Sequence, residues 1–426
     1  MMPNRCGCDF EQASRLGWER HRNIPALFTK TSVGKPNRTR IVVATRYDNR
    51  MARSRSAPSE TPACYAIVLP GLEAIAADEI TRDLGGEVRK SERGLVIFRV
   101  KEITPALLKL RTVEDVYLLA WGTDSLTYRA VDLKQIRHWT AKEADWQQLL
   151  RLHHAVHPKP KGKPTYHLVA QMIGTHAYRR IDAKKEMALG LAGVFPASWR
   201  PAEEDAAVEI WLTIQGKTAV CGIRLSDKTM RHRTWKEEHL PASLRPTMAA
   251  AMVRLAGAAG GDFVLDPMCG AGTILGEQIE LSKLRKAGRV EVLGGDFDKT
   301  ALRAAAANLK RVGPALIAQW DATRLPLAVD SVDRIISNPP FGKQLLTPEE
   351  IGPLYRAMIR ECDRALKNGG KAVFLVSEMQ PLRDAIRLHG WEALKQVNVR
   401  VLGQAATISV WRKGSASATL DGDASY

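Results

Sequence analysis

The sequence predicts an α/β protein: a doubly wound, mostly parallel sheet of seven strands over residues 246–413, preceded by two smaller α+β units. Two observations carry this expectation. From about residue 246, short apolar runs alternate with segments of helical period, as strands and crossover helices do in a parallel sheet. Upstream, strands and helices follow in mixed order, and a polar stretch separates them from the regular part. A chain of 426 residues also exceeds one ordinary core.

Residues 1–60 combine weak periodicity with many breakers and charges (TSVGKPNRTR, RSRSAPSE) and read as a basic, disordered extension. Met51 stands just ahead of the first convincing strand and reads as a natural start, which would make 1–50 an upstream addition. Mass spectrometry of the native N-terminus tests that point. Over 61–140 the order strand–helix–strand–strand–helix–strand suggests a small ferredoxin-like unit. Its parts are CYAIVL stopped by Pro70-Gly71, a helix with Leu72, Ile75, Ala76 and Ile80 on one face, GLVIFRV, a helix around 104–111, and VYLLAWG. Over 141–226 come a helix near 144–154, the basic loop His157–Pro164, strand TYHLVAQM, a helix at 182–194, and strands AVEIWLTI and KTAVCGIRL. Residues 227–245 read as a polar linker and 414–426 as a disordered tail. The seven strands of the last unit are FVLDP, EVLGGDF, ALIAQWDA, DRIISNPP, KAVFLVSE, LKQVNVRVLG and AATISVWRK.

The composition, 45% hydrophobic and 26% charged, is that of a globular protein, and no apolar run approaches the roughly 20 residues that span a bilayer. Six cysteines without CxxC pairs indicate neither a zinc site nor a disulfide framework, and a cytoplasmic setting fits best. The ten histidines show no metal-ligand spacing, so no metal is expected. The net charge of +17 favours a polyanionic partner. The excess is spread along the chain, at +7 in 1–60, +5 in 61–242 and +7 in 243–413, so it is not confined to a basic tail.

The sharpest motif is VLDPMCGAGTILGE at 264–277. A buried strand ends in Asp266, a turn follows with Gly270 and Gly272, and Thr273 opens a helix whose free N–H groups suit a carboxylate. The dinucleotide pattern would need glycine at 275, where this chain has Leu275. Asp266 ahead of the glycines suits a ligand ammonium, which favours an aminoacyl cofactor over a pyrophosphate. The next strand ends in Asp296, placed to accept from two ribose hydroxyls, with Phe297 beside it for an adenine face. The third leads to Asp321, which could accept from an adenine amine, and to Ala322 with its backbone N–H. Met268 and Cys269 line this turn or pack beneath it.

After the fourth strand comes Ser337-Asn338-Pro339-Pro340-Phe341-Gly342. Two prolines remove two N–H donors, so the turn presents acceptors. The Asn338 oxygen and the Pro339 carbonyl could take both hydrogens of a planar –NH2 group, and Phe341 offers a face for a base, a stack worth about 1–3 kcal/mol.

These motifs resemble the amino-methylating branch of the class I (Rossmann-like) methyltransferases, whose acceptor motif is Asp/Asn/Ser-Pro-Pro-aromatic. The wider chain, roughly 61–412, resembles the THUMP-domain RNA guanine-N2 methyltransferase family, including enzymes that modify guanosine 6 of tRNA. The matching stretches are YAIVLPGLEAIAADEI, RTWKEEHLPASLRPTMAAAMVRLAG, DPMCGAGTILGE and NPPFGKQL. The resemblance implies S-adenosylmethionine as cofactor, a Rossmann-like methyltransferase domain over 246–413, and a THUMP RNA-binding unit over 141–226 that grips tRNA. It implies cofactor contacts at Pro246, Thr247, Asp266, Gly270, Gly272, Thr273, Asp296, Phe297, Asp321, Ala322 and Asn338. Asn338, Pro339, Pro340 and Phe341 would form the catalytic turn. Phosphate contacts would come from Lys159, Lys161, Lys163, Arg179, Arg180, Lys184 and Lys185. Many relatives carry Asp where this chain has Asn338, which leaves guanine N2 and adenine N6 both open. Three other readings stand beside tRNA guanine-N2 methylation: the same chemistry on large-subunit ribosomal RNA, adenine-N6 methylation of nucleic acid, and a non-catalytic RNA-binding protein. A monomer is expected.

Overall fold

The computed structural model describes residues 63–241, 243–286, 288–340, 348–401 and 403–414. The expected extension and the question of a start at Met51 lie outside them. So do Phe341, Gly342 and all but the first residue of the expected tail.

The N-terminal half opens with β1 (Cys64–Ile67), α1 (Glu73–Leu84), β2 (Glu87–Glu92) and β3 (Leu95–Arg99). Where a helix was expected around 104–111, the chain makes a single 3₁₀ turn, Pro105–Lys109. Thr104 accepts from the Ala106 N–H and Pro105 fixes the first φ, but only Leu107 of the five residues is buried, too little apolar face to hold a longer helix. β4 (Asp115–Thr123) follows, then α2 (Val131–Lys142), which the sequence reading missed. Its buried positions are Asp132, Ile136 and Thr140, so polar residues stand where the apolar stripe should be. Next come α3 (Trp146–Val156), β5 (Thr165–Ile173), α4 (Arg180–Leu191), the two-residue β6 (Arg200–Pro201), β7 (Val208–Gln215) and β8 (Thr218–Arg224).

These eight strands form one sheet in the order β2-β3-β1-β4-β8-β7-β5-β6. β4 pairs antiparallel with β1 on one side and with β8 on the other, from Tyr117 opposite Arg224 to Thr123 opposite Ala219. The two stretches expected as separate units therefore share a continuous ladder.

The segment 227–245 is packed against the fold. α5 (Lys228–His232) is followed by Arg233, Trp235 and Lys236, all buried. Its two buried cations have partners: Arg233 pairs with Glu277 at 2.8 Å, and the Lys236 ammonium donates to the Leu244 carbonyl at 2.7 Å.

The C-terminal half contains α6 (Pro246–Ala256), β9 (Phe263–Asp266), α7 (Thr273–Arg285), β10 (Glu291–Asp296), α8 (Lys299–Lys310), β11 (Leu316–Gln319) and β12 (Val332–Ser337). It ends with α9 (Pro348–Ala365), β13 (Leu366–Val376), α10 (Met379–Arg387), β14 (Glu392–Val401) and β15 (Gln404–Arg412). The sheet order is β11-β10-β9-β12-β13-β15-β14, with β15 antiparallel to both neighbours. From β9 the chain winds one way to β10 and β11, then returns to β12 on the other side. That reversal opens a crevice at the carboxyl ends of β9 and β12.

Buried ion pairs join the halves. Glu277 on α7 is fully buried and accepts from Arg111 at 2.6 and 2.9 Å and from Arg233 at 2.8 Å. Arg254 on α6 reaches Asp83 and Glu79 of α1 at 2.7 and 3.3 Å. No described helix is long and apolar enough to cross a membrane.

Candidate active site

β9 delivers Asp266 to the floor of the crevice. The residue is 1% exposed, and its Oδ1 accepts from the Ser337 hydroxyl at 2.9 Å and the Met268 N–H at 3.2 Å. Asp266 thereby ties the end of β9 to the end of β12. Burial pushes its carboxyl up to about 7, against the lowering effect of those two hydrogen bonds. The folded protein thus holds this proton more tightly than the unfolded chain, where Asp titrates near 3.9. The stabilising contribution is complete below about pH 4 and lost as pH rises through 7. Asp266→Asn should therefore gain on the wild type by about 2–3 kcal/mol between pH 5 and pH 8. Paired denaturant titrations at the two pH values measure it, and an unchanged gap would contradict the assignment.

The turn after Asp266 is built on glycine. Gly270 and Gly272 have φ of 51° and 74°, the left-handed region, and Gly272 caps α7 without a side-chain acceptor. The first N–H groups of α7 are left for another partner. Asp296, ending β10, holds the turn from the next strand: its Oδ2 accepts from Gly270 N–H at 2.9 Å and its Oδ1 from Asp298 N–H at 3.0 Å. Each oxygen has a further lone pair for another donor. Phe297 beside it is 76% exposed. Asp321 is exposed and accepts from Thr323 N–H at 2.8 Å, which holds its carboxyl below the usual range. Ala322 is buried next to it.

On the opposite wall, Asn338 and Pro339 continue β12. The Asn338 Oδ1 is buried and has no hydrogen-bond partner among the described residues. Pro339 is buried, and the Pro340 carbonyl accepts from the Tyr355 hydroxyl at 3.3 Å, which pins the turn to α9.

Pro246 and Thr247 start α6, both buried. The Thr247 hydroxyl is not free for a ligand: it donates to Glu114 of the N-terminal half at 2.5 Å. The seven basic residues form two groups. Lys159, Lys161 and Lys163 precede β5, while Arg179, Arg180, Lys184 and Lys185 belong to α4 or its cap, beyond the other end of β5. Nine strand residues separate these ends by about 30 Å. All are exposed except Lys184, which is half-buried, and Arg179 is paired with Asp182 at 3.3 Å.

Three supporting residues escaped the sequence reading. Trp320 donates from Nε1 to the Pro267 carbonyl at 3.0 Å, and its ring lies so close over Gly295 that a Cβ there would stand 2.0 Å away. The Gly294-Gly295 pair inside a strand was the available signal. Asn308 on α8 is 1% exposed; its amide donates to the carbonyls of Ala271 and Glu238 at 3.0 Å and accepts from the N–H groups of Glu237 and Glu238. It fastens the glycine turn to segment 227–245. Ser337 is the third, as the partner of Asp266.

Residues 233–406 match the family described as the RMKL-like methyltransferase domain (UPF0020). The match covers less than half of the chain. The U6 snRNA (guanine-N(2))-methyltransferase THUMPD2 of Mus musculus is 34% identical over 193 residues, covering 45% of this chain and 34% of that protein. The tRNA (guanine(6)-N2)-methyltransferase of Thermus thermophilus is 29% identical over 235 residues, 54% of this chain and 67% of that protein. The chain spans about a third to a half of the length of the mammalian relatives it matches. Over a longer stretch, the fold is shared with the crystal structure of TrmN from Thermus thermophilus. That likeness has a TM-score of 0.66 at 24% identity over 82% of this chain and 99% of that one.

Proposed function

We propose that the protein is an S-adenosylmethionine-dependent RNA methyltransferase that modifies the exocyclic N2 of a guanine in tRNA. The observation that carries this reading is the buried Asn338 Oδ1, without a hydrogen-bond partner among the described residues, at the carboxyl end of β12 across the crevice from the glycine turn. A buried acceptor of this kind calls for a donor. The relatives' names supply guanine N2 as the amine and tRNA as the carrier.

The residues present fit the cofactor. The left-handed glycines at 270 and 272 let the backbone approach a ligand, the uncapped start of α7 at Thr273 suits its carboxylate, and Asp266 suits its ammonium. Asp296 would hold the ribose, with Phe297, Asp321 and Ala322 around the adenine. Bound there, S-adenosylmethionine supplies an electrophilic methyl group on a sulfonium.

The chain's own part is positioning. Asn338 is neutral at every working pH, so it holds the hydrogens of the amine and takes no proton. Its oxygen and the Pro339 carbonyl fix the plane of the –NH2 group, and the two prolines offer no N–H that would compete for the nitrogen lone pair. Such alignment, with water excluded, supplies most of what a reaction of this kind needs. The N-terminal half, with its THUMP unit proposed at 141–226, would grip the RNA through the two basic groups. A guanine in a stem would have to be flipped out, at a cost of a few kcal/mol.

The test gives the purified protein tritiated S-adenosylmethionine with separate pools of unmodified tRNA, U6 snRNA, ribosomal RNA and duplex DNA, and identifies the labelled nucleoside by mass spectrometry. N2-methylguanosine in tRNA is expected. Label confined to another RNA would change the carrier, N6-methyladenine would overturn the guanine assignment, and no transfer at all would overturn the reading.

A further inference from the structure

Like Arg334 Nε, Asn338 Oδ1 and Trp411 Nε1 of the C-terminal sheet, the Ser377 hydroxyl is a buried polar atom without a hydrogen-bond partner among the described residues. Ser377 directly follows β13, whose preceding residues 372–376 are apolar and fully buried. β13 lies beside β12 in parallel register, with Ile336 opposite Val373 and Ser337 opposite Phe374. Continued by one residue, this register sets Asn338 beside Leu375, with Ser377 two residues further along the neighbouring strand. Strands about 4.8 Å apart that rise about 3.3 Å per residue put the Asn338 and Ser377 Cα atoms roughly 8 Å from each other.

The two side chains also share a face. Ile336, Val373 and Leu375 belong to the apolar cluster that includes α6 and α7, whereas Phe374 and Val376 belong to the cluster with α9 and α10. Side chains alternate along a strand. Asn338 and Ser377 each lie one residue past the end of β12 and β13, and the same alternation continued by that one residue sets both on that side. Packing alone would place an apolar residue at 377, and an unpaired buried hydroxyl is both costly and rare.

We propose that Ser377 is a substrate-binding residue that hydrogen-bonds the N1–H and O6 edge of the acceptor guanine while Asn338 holds its N2 amine. This rests on the methyltransferase reading above and extends it to recognition of the base ring. Two groups at that separation on one side of the sheet can reach neighbouring positions along one edge of a guanine, and a hydroxyl can accept from N1–H or donate to O6. Removing such a contact leaves polar atoms of the bound base unpaired, which is how sites reject the wrong partner.

The experiment compares wild type with Ser377→Ala on two RNAs, one carrying guanine at the target and one carrying 2-aminopurine, which keeps the 2-amine but lacks O6 and N1–H. Ser377→Ala should lower kcat/KM about 10- to 100-fold on guanine and leave the slower 2-aminopurine reaction unchanged. Binding of S-adenosylhomocysteine and the melting temperature should match wild type. Wild-type rates on guanine, equal losses on both bases, or weakened S-adenosylhomocysteine binding would each overturn the inference while the wild type remained an active methyltransferase. A wild type that methylates neither RNA would remove the reading on which it stands.

Discussion

Asn338→Ala is expected to slow methyl transfer by about 10²- to 10³-fold, the loss seen when one aligned hydrogen-bonding group is removed from a reacting centre. S-adenosylhomocysteine binding should change little, because the proposed cofactor contacts lie mainly in the turn after β9 and at Asp296. The carboxylate of Asn338→Asp keeps the acceptor oxygens, so this variant should retain a rate within about tenfold of wild type. Single-turnover rates at saturating RNA, with calorimetric titration of S-adenosylhomocysteine, separate the two effects. An alanine variant as fast as wild type would remove Asn338 from the site.

Glu277→Ala carries the largest expected loss of stability, about 3–5 kcal/mol, since it strands the buried guanidiniums of Arg111 and Arg233 without their shared partner. Burial alone would raise the Glu277 carboxyl, but the charges of Arg233 and Arg111 outweigh it and hold the group below the usual range. Its contribution is therefore present above about pH 4.5, the unfolded value, and is lost as pH falls through the lower folded one. Urea unfolding at pH 7 measures the loss. Because α7 begins at the glycine turn, cofactor affinity should fall as well. A variant as stable as wild type would mean that the guanidiniums find other partners, Glu280 being the nearest to Arg111 at 3.4 Å.

Much of the C-terminal sheet could be read from the sequence because its signals are local. Each strand is a short apolar run, and the acids at 266, 296 and 321 follow three of them in succession. The glycines at 270 and 272 announce a turn that other residues cannot make. What escaped depends on partners distant in sequence. Trp320 matters through Gly295 and Pro267, and Asn308 through Ala271 and Glu238. The Thr247 hydroxyl is claimed by Glu114, 133 residues earlier. Segment 227–245 reads as polar because its charges are visible in the sequence and the carboxylate and carbonyl that neutralise them are not. α2 was missed because Asp132 and Thr140 occupy its buried face, where Asp132 accepts from the Thr127 N–H and Thr140 donates to the Ile136 carbonyl.

The ladder between β4 and β8 makes residues 63–224 indivisible. A cut near residue 140 would leave VYLLAW of β4 as a bare edge, and such edges recruit strands from other molecules. The fragment would tend to aggregate, and so would the remainder, which would carry β8 with the same unpaired rim. In evolution and in engineering alike, the N-terminal half would be inherited, lost or exchanged as one cassette.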